Sequence, residues 1–237
     1  MISLFLQAER IIDIFNESLD YFNSKTSKKS ELSIGCSYGV VGEFYDGFFL
    51  SEQNCNPKVR LKISEYPDLM CEMAVENGEV ELGIVVGPVN DNKFDSYLLL
   101  KKKYYAIVHK SHSLANFDII DLEKLKSENI IIMNKNFKLY HTFYESCLDA
   151  GFTPNITYEA AEIALVHKMV GKNYGVGFTV DFLLDDIQVP DLKVIDVNRL
   201  KYSWDIYLII NKNSKLSKSA KNFINYITNS YNAKTDK

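Results

Sequence analysis

The sequence contains no apolar run approaching the roughly 18 residues of a membrane-spanning helix. Its first 22 residues thread Glu9, Arg10, Asp13, Glu17 and Asp20 through an apolar pattern, so neither a signal peptide nor an anchor is expected there. Positive charge is also scarce: 27 Lys and Arg stand against 31 Asp and Glu, a net charge of −4. That balance lacks the basic field that holds phosphate backbones, and these residues are not expected to bind DNA by themselves. Lys101-Lys102-Lys103 and the series Lys212, Lys215, Lys218 and Lys221 read as solvated faces.

Metal-binding and redox patterns are missing as well. Cys36, Cys55, Cys71 and Cys147 show no Cys-x-x-Cys or Cys/His ligand spacing, which reads as reduced, mostly buried thiols in a cytoplasmic protein. His109, His112, His141 and His167 have no Cys, Asp or His at ligand spacing on one helix face, so structural or surface roles are expected and no metal or other cofactor. Gly35-Cys-Ser-Tyr-Gly39 has the outline of a nucleophile elbow without a matched acid, and Gly171-Lys-Asn-Tyr-Gly-Val-Gly177 follows a helix and lacks the Gly-Lys-Ser/Thr of a phosphate loop.

What is present is a globular mixture, 46% hydrophobic and 24% charged, with length enough for two small cores. Ile2 to Phe22 reads as an amphipathic helix whose apolar stripe runs through Phe5, Ala8, Ile11, Ile12, Phe15, Leu19 and Phe22, followed by the polar linker Asn23 to Ser30. Such a helix must bury its stripe on its own domain or on a second chain, the second chain being favoured. Glu31 to Gly39 reads as a strand ending in a small-residue turn, followed by a helix through Phe44, Phe48, Phe49 and Leu50. Pro57 to Ser64 alternates like a half-buried strand, and Pro67-Asp68 opens a helix ending at Asn77-Gly78. Val80 to Gly87 is an apolar strand.

Further strands are expected at Tyr104–Lys110, Asn129–Met133, from Ile156 and at Trp204–Asn211. Helices are expected at Asp121–Leu125, around Tyr140–Leu148, after Tyr158, and at Ser219–Ser230. In the helix after Tyr158, Ile163, Leu165, Val166, Met169 and Val170 keep helical spacing, with Gly171 placed to supply a positive-φ C-cap before Gly175-Val-Gly-Phe extends. Strands alternating with helices predict an α/β fold with largely parallel sheets.

Leu32-Ser-Ile-Gly, Glu79 to Val85 after Asn77-Gly78, Val108 to Ala115, Ala150-Gly-Phe-Thr-Pro154 and Val170 to Gly177 occur in the order typical of LysR-type transcriptional regulators. Across about residues 31–230 the chain resembles the effector-binding region of that family, and Ile2 to Phe22 resembles its linker helix. The resemblance implies an α/β fold of two Rossmann-like subdomains, periplasmic-binding-protein-like (type 2), with a small effector in the cleft between them. Residues 1–30 would be linker and dimerisation helix, 31–104 plus 206–237 subdomain I, and 105–205 subdomain II. It also implies a homodimer or tetramer without membrane contact, and operator DNA bound only through a winged helix-turn-helix domain that these residues do not contain.

Ligands of doubly wound folds sit beyond the carboxyl ends of parallel strands, where helix N-termini present unpaired N–H groups. Four loops qualify: Cys36–Gly39, Tyr66–Asp68, Asn134–Lys138 and Tyr158–Glu162, with Val86-Gly87-Pro88 as a hinge-side wall. The expected ligand-binding residues are Ser37, Tyr38, Gly39, Pro67, Asp68, Gly87, Asn134, Lys135 and Glu159; no catalytic residue is expected. The resemblance places effector contacts at Ser37, Gly39 and Pro67-Asp68, where related regulators carry a hydroxyl that holds an effector carboxylate. Asp68 would repel such a ligand. It is either a first-turn acid or the partner of an ammonium group, with Lys135 taking an opposite carboxylate; an amino acid or a small carboxylate is the expected effector. A solute-binding protein, or an enzyme using Cys36 on the same scaffold, stays open beside the sensor.

Overall fold

The computed structural model describes residues 14, 15, 18, 30–44, 58–180 and 189–235. The expected N-terminal helix, the linker and the Phe48–Leu50 helix therefore lie outside the described residues, except that Ile14, Phe15 and Ser18 are helical.

Two sheets divide the strands. The first has the order β2-β1-β3-β11-β4, with β1 at Ser30–Ser37, β2 at Val59–Tyr66, β3 at Leu82–Val86, β4 at Phe94–Leu100 and β11 at Ile206–Asn211. The second has the order β6-β10-β5-β9-β7-β8, with β5 at Tyr104–His109, β6 at Ile119–Asp121, β7 at Asn129–Met133, β8 at Asn155–Ala160, β9 at Val176–Val180 and β10 at Leu192–Asn198. The continuous apolar runs of β3 and β9 are buried along their whole length, as strands covered on both faces must be.

Among the described residues, the helices packed on the sheets are α1 at Val40–Glu43, α2 at Asp68–Glu76, α3 at Lys138–Asp149, α4 at Ile163–Gly171 and α5 at Lys218–Thr235. Each buries one stripe. Cys71, Ala74 and Val75 of α2 pack with Val80, Val85, Phe94 and Ile209, while Phe223, Ile224 and Ile227 of α5 join the main core. In α3, Leu139, Thr142, Phe143, Ser146 and Cys147 keep the 3.6-residue period, and Phe143 meets Phe178 of β9 with ring centroids 4.7 Å apart. No helix among the described residues is long and apolar enough to cross a membrane.

The sheets are mixed, which corrects the expectation of largely parallel ones. β1 runs parallel to β2 and β3, and β7 parallel to β8 and β9, but β11 is antiparallel to β3 and β4, and β5 is antiparallel to β9 and β10. The reason is the route of the chain between sheets: β4 ends the first sheet just before β5 enters the second, and β10 leaves the second just before β11 returns. These crossings are joined side by side, since Trp204 N–H donates to Lys102 O (3.0 Å) and Lys102 N–H to Asp205 Oδ1 (3.2 Å).

A second correction concerns Gly171. It has no positive φ; it is the last residue of α4, and a Cβ there would come 2.4 Å from Val189 Cγ1, so glycine is required by packing. The left-handed residue is Asn173 (φ 59), with Tyr174 N–H reaching back to Met169 O (3.2 Å) in a Schellman closure. Close approach also explains Gly83 in β3, where a Cβ would lie 2.7 Å from Ile209 Cγ1 and 2.8 Å from Val75 Cγ2. Gly83→Ala is expected to overpack this strand–helix contact and cost about 1–3 kcal/mol, seen as a lower urea midpoint at an unchanged m-value.

Candidate functional site

The carboxyl ends of parallel strands from both sheets face one cavity of about 590 Å³, well within the range of small-molecule sites. From the first sheet come Tyr38 and Gly39 after β1, and Pro67 and Asp68 at the start of α2. From the second come Asn134 after β7, Phe137 at the start of α3, Ala161 to Ala164 around the start of α4, and Thr179 and Val180 of β9. Tyr104 and Trp204 add the crossings between sheets to the wall. Gly39 turns the chain with φ 83, a conformation that side chains resist, and so lets β1 end at the cavity.

Beside the cavity the starts of α2 and α3 are fastened together. Leu69 N–H of α2 donates to Asn136 O (3.1 Å), and Lys138 N–H of α3 donates to Asp68 Oδ2 (2.9 Å), so the first-turn acid of one helix caps the other. The Lys138 side chain, 6% exposed, crosses to the first sheet, where Nζ donates to Glu72 Oε1, Val86 O and Pro88 O, each at 2.5 Å. All three ammonium hydrogens thus have acceptors, which a buried lysine requires.

Asp68 is 4% exposed. Burial raises its carboxyl from the usual range to about 6, outweighing the Lys138 N–H bond and ammonium charge, which favour ionisation; Glu72 raises it further. Ser37 Oγ, fully buried beside it, favours the carboxylate yet makes no hydrogen bond of good geometry. Tyr104 Oη is buried on the cavity wall without a hydrogen-bond partner, and burial together with the charges of Asp68 and Asp205 holds the phenol protonated. The Cys36, Cys71 and Cys147 thiols are buried and shifted upward by desolvation, Cys71 and Cys147 to about 12, so none presents a thiolate at neutral pH.

Of the residues expected from sequence, Tyr38, Gly39, Pro67, Asp68 and Asn134 share the cavity wall, and Ser37, Gly87, Lys135 and Glu159 do not. Ser37 is buried behind the wall in β1. Gly87 is packed against Tyr207 and donates its N–H to Asp205 O (2.8 Å). Lys135 and Glu159 are exposed and pair with each other at 3.7 Å, so Lys135 is not placed to hold a ligand opposite Asp68. The histidines stand elsewhere: His109 bonds Ser111, His112 caps a short turn and pairs with Glu128, His141 bonds Lys135 O, and His167 bonds Thr179 Oγ1 from behind the wall at 3.0 Å. Phe137 falls inside the expected Asn134–Lys138 loop, whereas Tyr104, Thr179 and Trp204 lie outside all four loops, because their places follow from contacts far apart in the chain.

The model of the LysR substrate binding domain matches residues 25–232. The HTH-type transcriptional regulator YwbI of Bacillus subtilis is 28% identical over 204 residues, 86% of this chain and 67% of that regulator. Across six such relatives the chain spans 35% to 70% of the relative's length. Among solved structures, the effector-binding domain of QuiR in complex with shikimate superposes with a TM-score of 0.74 at 19% identity, covering 86% of this chain and 98% of that one. The BenM effector-binding domain with benzoate gives 0.71 at 18% identity, covering 87% and 94%.

Removing the Lys138 ammonium while keeping its length, as in Lys138→Met, strands Glu72 and two carbonyls and is expected to cost about 3–5 kcal/mol; Glu72→Gln on that background should recover part of the loss, both read by urea unfolding. Asp68 ionises near pH 4 in an unfolded chain and near 6 in the folded one. Between these values the folded form holds more protons, so stability falls as pH rises. Asp68→Asn keeps an acceptor for Lys138 N–H and should remove this fall, gaining on the order of 2–3 kcal/mol above pH 6 relative to its difference at pH 4; parallel unfolding curves from pH 4 to 7.5 measure it.

Proposed function

The chain belongs to the LysR substrate-binding domain family, and from that premise we propose that the cavity between its two sheets is the effector site through which a transcriptional regulator senses a small molecule. The observation that carries this reading is that both sheets supply the wall, so an occupant touches both sides at once and its affinity depends on how they are set. Shikimate in QuiR and benzoate in BenM are molecules small enough for a cavity of about 590 Å³ to enclose. The energy for signalling is the difference in effector affinity between two arrangements of the sheets, not the number of contacts made.

We take residues 31–104 with 206–237, and 105–205, as the two regulatory subdomains, and the α2–α3 junction as the contact whose setting the effector alters. Operator recognition then belongs to the part of the regulator that these residues do not span, assembly is as a homo-oligomer, and the compartment is the cytoplasm.

Ala164, at the exposed mouth of the cavity in the first turn of α4, offers a clean block. A compound saturating the site at a hundred times Kd stabilises the chain by about 2.7 kcal/mol. Ala164→Phe is expected to abolish that thermal shift while leaving the melting temperature of the empty chain nearly unchanged. An undiminished shift in the variant would remove the cavity from the effector reading, and recovery of the compound chemically altered would replace sensing by catalysis.

A further inference from the structure

The cavity wall is anionic. Asp68 and Glu162 line it, and among the described residues no Lys, Arg or His does. Lys135, the nearest candidate for an anion-binding group in sequence, is paired with Glu159 outside the wall, and the Lys138 ammonium is consumed by Glu72, Val86 O and Pro88 O. A ligand whose recognised group is a carboxylate would meet two carboxyl groups and no cation.

Resting on the effector reading, we propose that the molecule sensed carries an ammonium group, held by Asp68 and Tyr104. Tyr104 is 4% exposed and lines the same wall as Asp68, its Oη is buried without a hydrogen-bond partner, and an N–H donor would satisfy both it and the carboxylate. One Asp68 oxygen, Oδ2, already accepts Lys138 N–H, which fixes the carboxylate in place. The surrounding aromatics, Tyr38, Phe137 and Trp204, suit an organic cation, whose charge is attracted by ring faces, better than an anion. An amino acid meets the same requirement through its amine.

The groups that act on Asp68 charge are Lys138, Glu72, Cys71 and Tyr104. With its carboxyl raised to about 6 in the empty site, an ammonium ligand binds with constant affinity above that pH and loses about tenfold per unit below it. A carboxylate that needed Asp68 as a protonated donor would show the reverse profile.

The test is calorimetry on the full chain with matched skeletons: phenethylamine, phenylalanine and 3-phenylpropanoate, and cadaverine, lysine and hexanoate, repeated from pH 5 to 8. Binding by ammonium-bearing members but not by their carboxylate partners is expected, weakened about tenfold or more in Asp68→Asn, also weakened in Tyr104→Phe, and blocked in Ala164→Phe. Binding of a carboxylate without an amine, blocked by Ala164→Phe, would overturn the ammonium assignment and leave the effector reading standing. Equal affinity for an amine in wild type and Asp68→Asn overturns it too. Silence from every compound overturns the ammonium assignment and counts against the effector reading with it.

Discussion

The arrangement of the cavity depends on one buried cation. Lys138 begins a helix of the second sheet, yet its ammonium ends among acceptors of the first: a carboxylate on α2 and two carbonyls where β3 leaves its sheet. A buried ion pair contributes little net stability, because desolvation offsets most of its attraction. Its value here is positional. The three acceptors fix where the start of α3 sits against α2, and through Lys138 N–H they also fix Asp68, so the acid on the cavity wall is held by the same residue that joins the sheets.

Electrostatics follow from that placement. An acid in the first turn of a helix ordinarily ionises readily, since the helix dipole favours its charge. Asp68 has that position, a bond from a second helix and a nearby ammonium, and its carboxyl still rises to about 6. Burial outweighs all three. A group poised there costs the folded chain stability near neutral pH, a sacrifice expected at a site kept for binding.

Local patterns were legible in the sequence; long-range pairings were not. Asn129–Met133 is an apolar run that became β7 at the expected residues, and Pro67-Asp68 opened a helix as first-turn chemistry requires. The four loops beyond strand ends could be named because ligand position in such folds follows strand direction. β4 escaped notice, since Phe94-Asp-Ser-Tyr-Leu-Leu-Leu is an edge strand with Tyr97 and Leu98 exposed and no clean alternation. β10 escaped for a similar reason, its Leu192-Lys-Val-Ile-Asp-Val-Asn being only partly buried. No local rule separates Lys135, which pairs with Glu159 outside the wall, from Lys138, which joins the sheets: the two are three residues apart, and the acceptors of Lys138 lie 50 to 66 residues away. Gly171 looked like a cap because a glycine ending a helix usually is one, while the side chain that forbids a Cβ there comes from Val189.

Trp204 sits where the returning crossing meets the outgoing one, hydrogen-bonded to Lys102, and it also lines the cavity. If the proposed halves move against each other, two tethers clasped there would act as a single pivot, resisting separation or sliding while permitting a swing. A molecule resting against Trp204 would then press close to the fulcrum, where a displacement of a fraction of an ångström becomes a much larger travel at the far rims. The girth of the occupant would be converted into an angle.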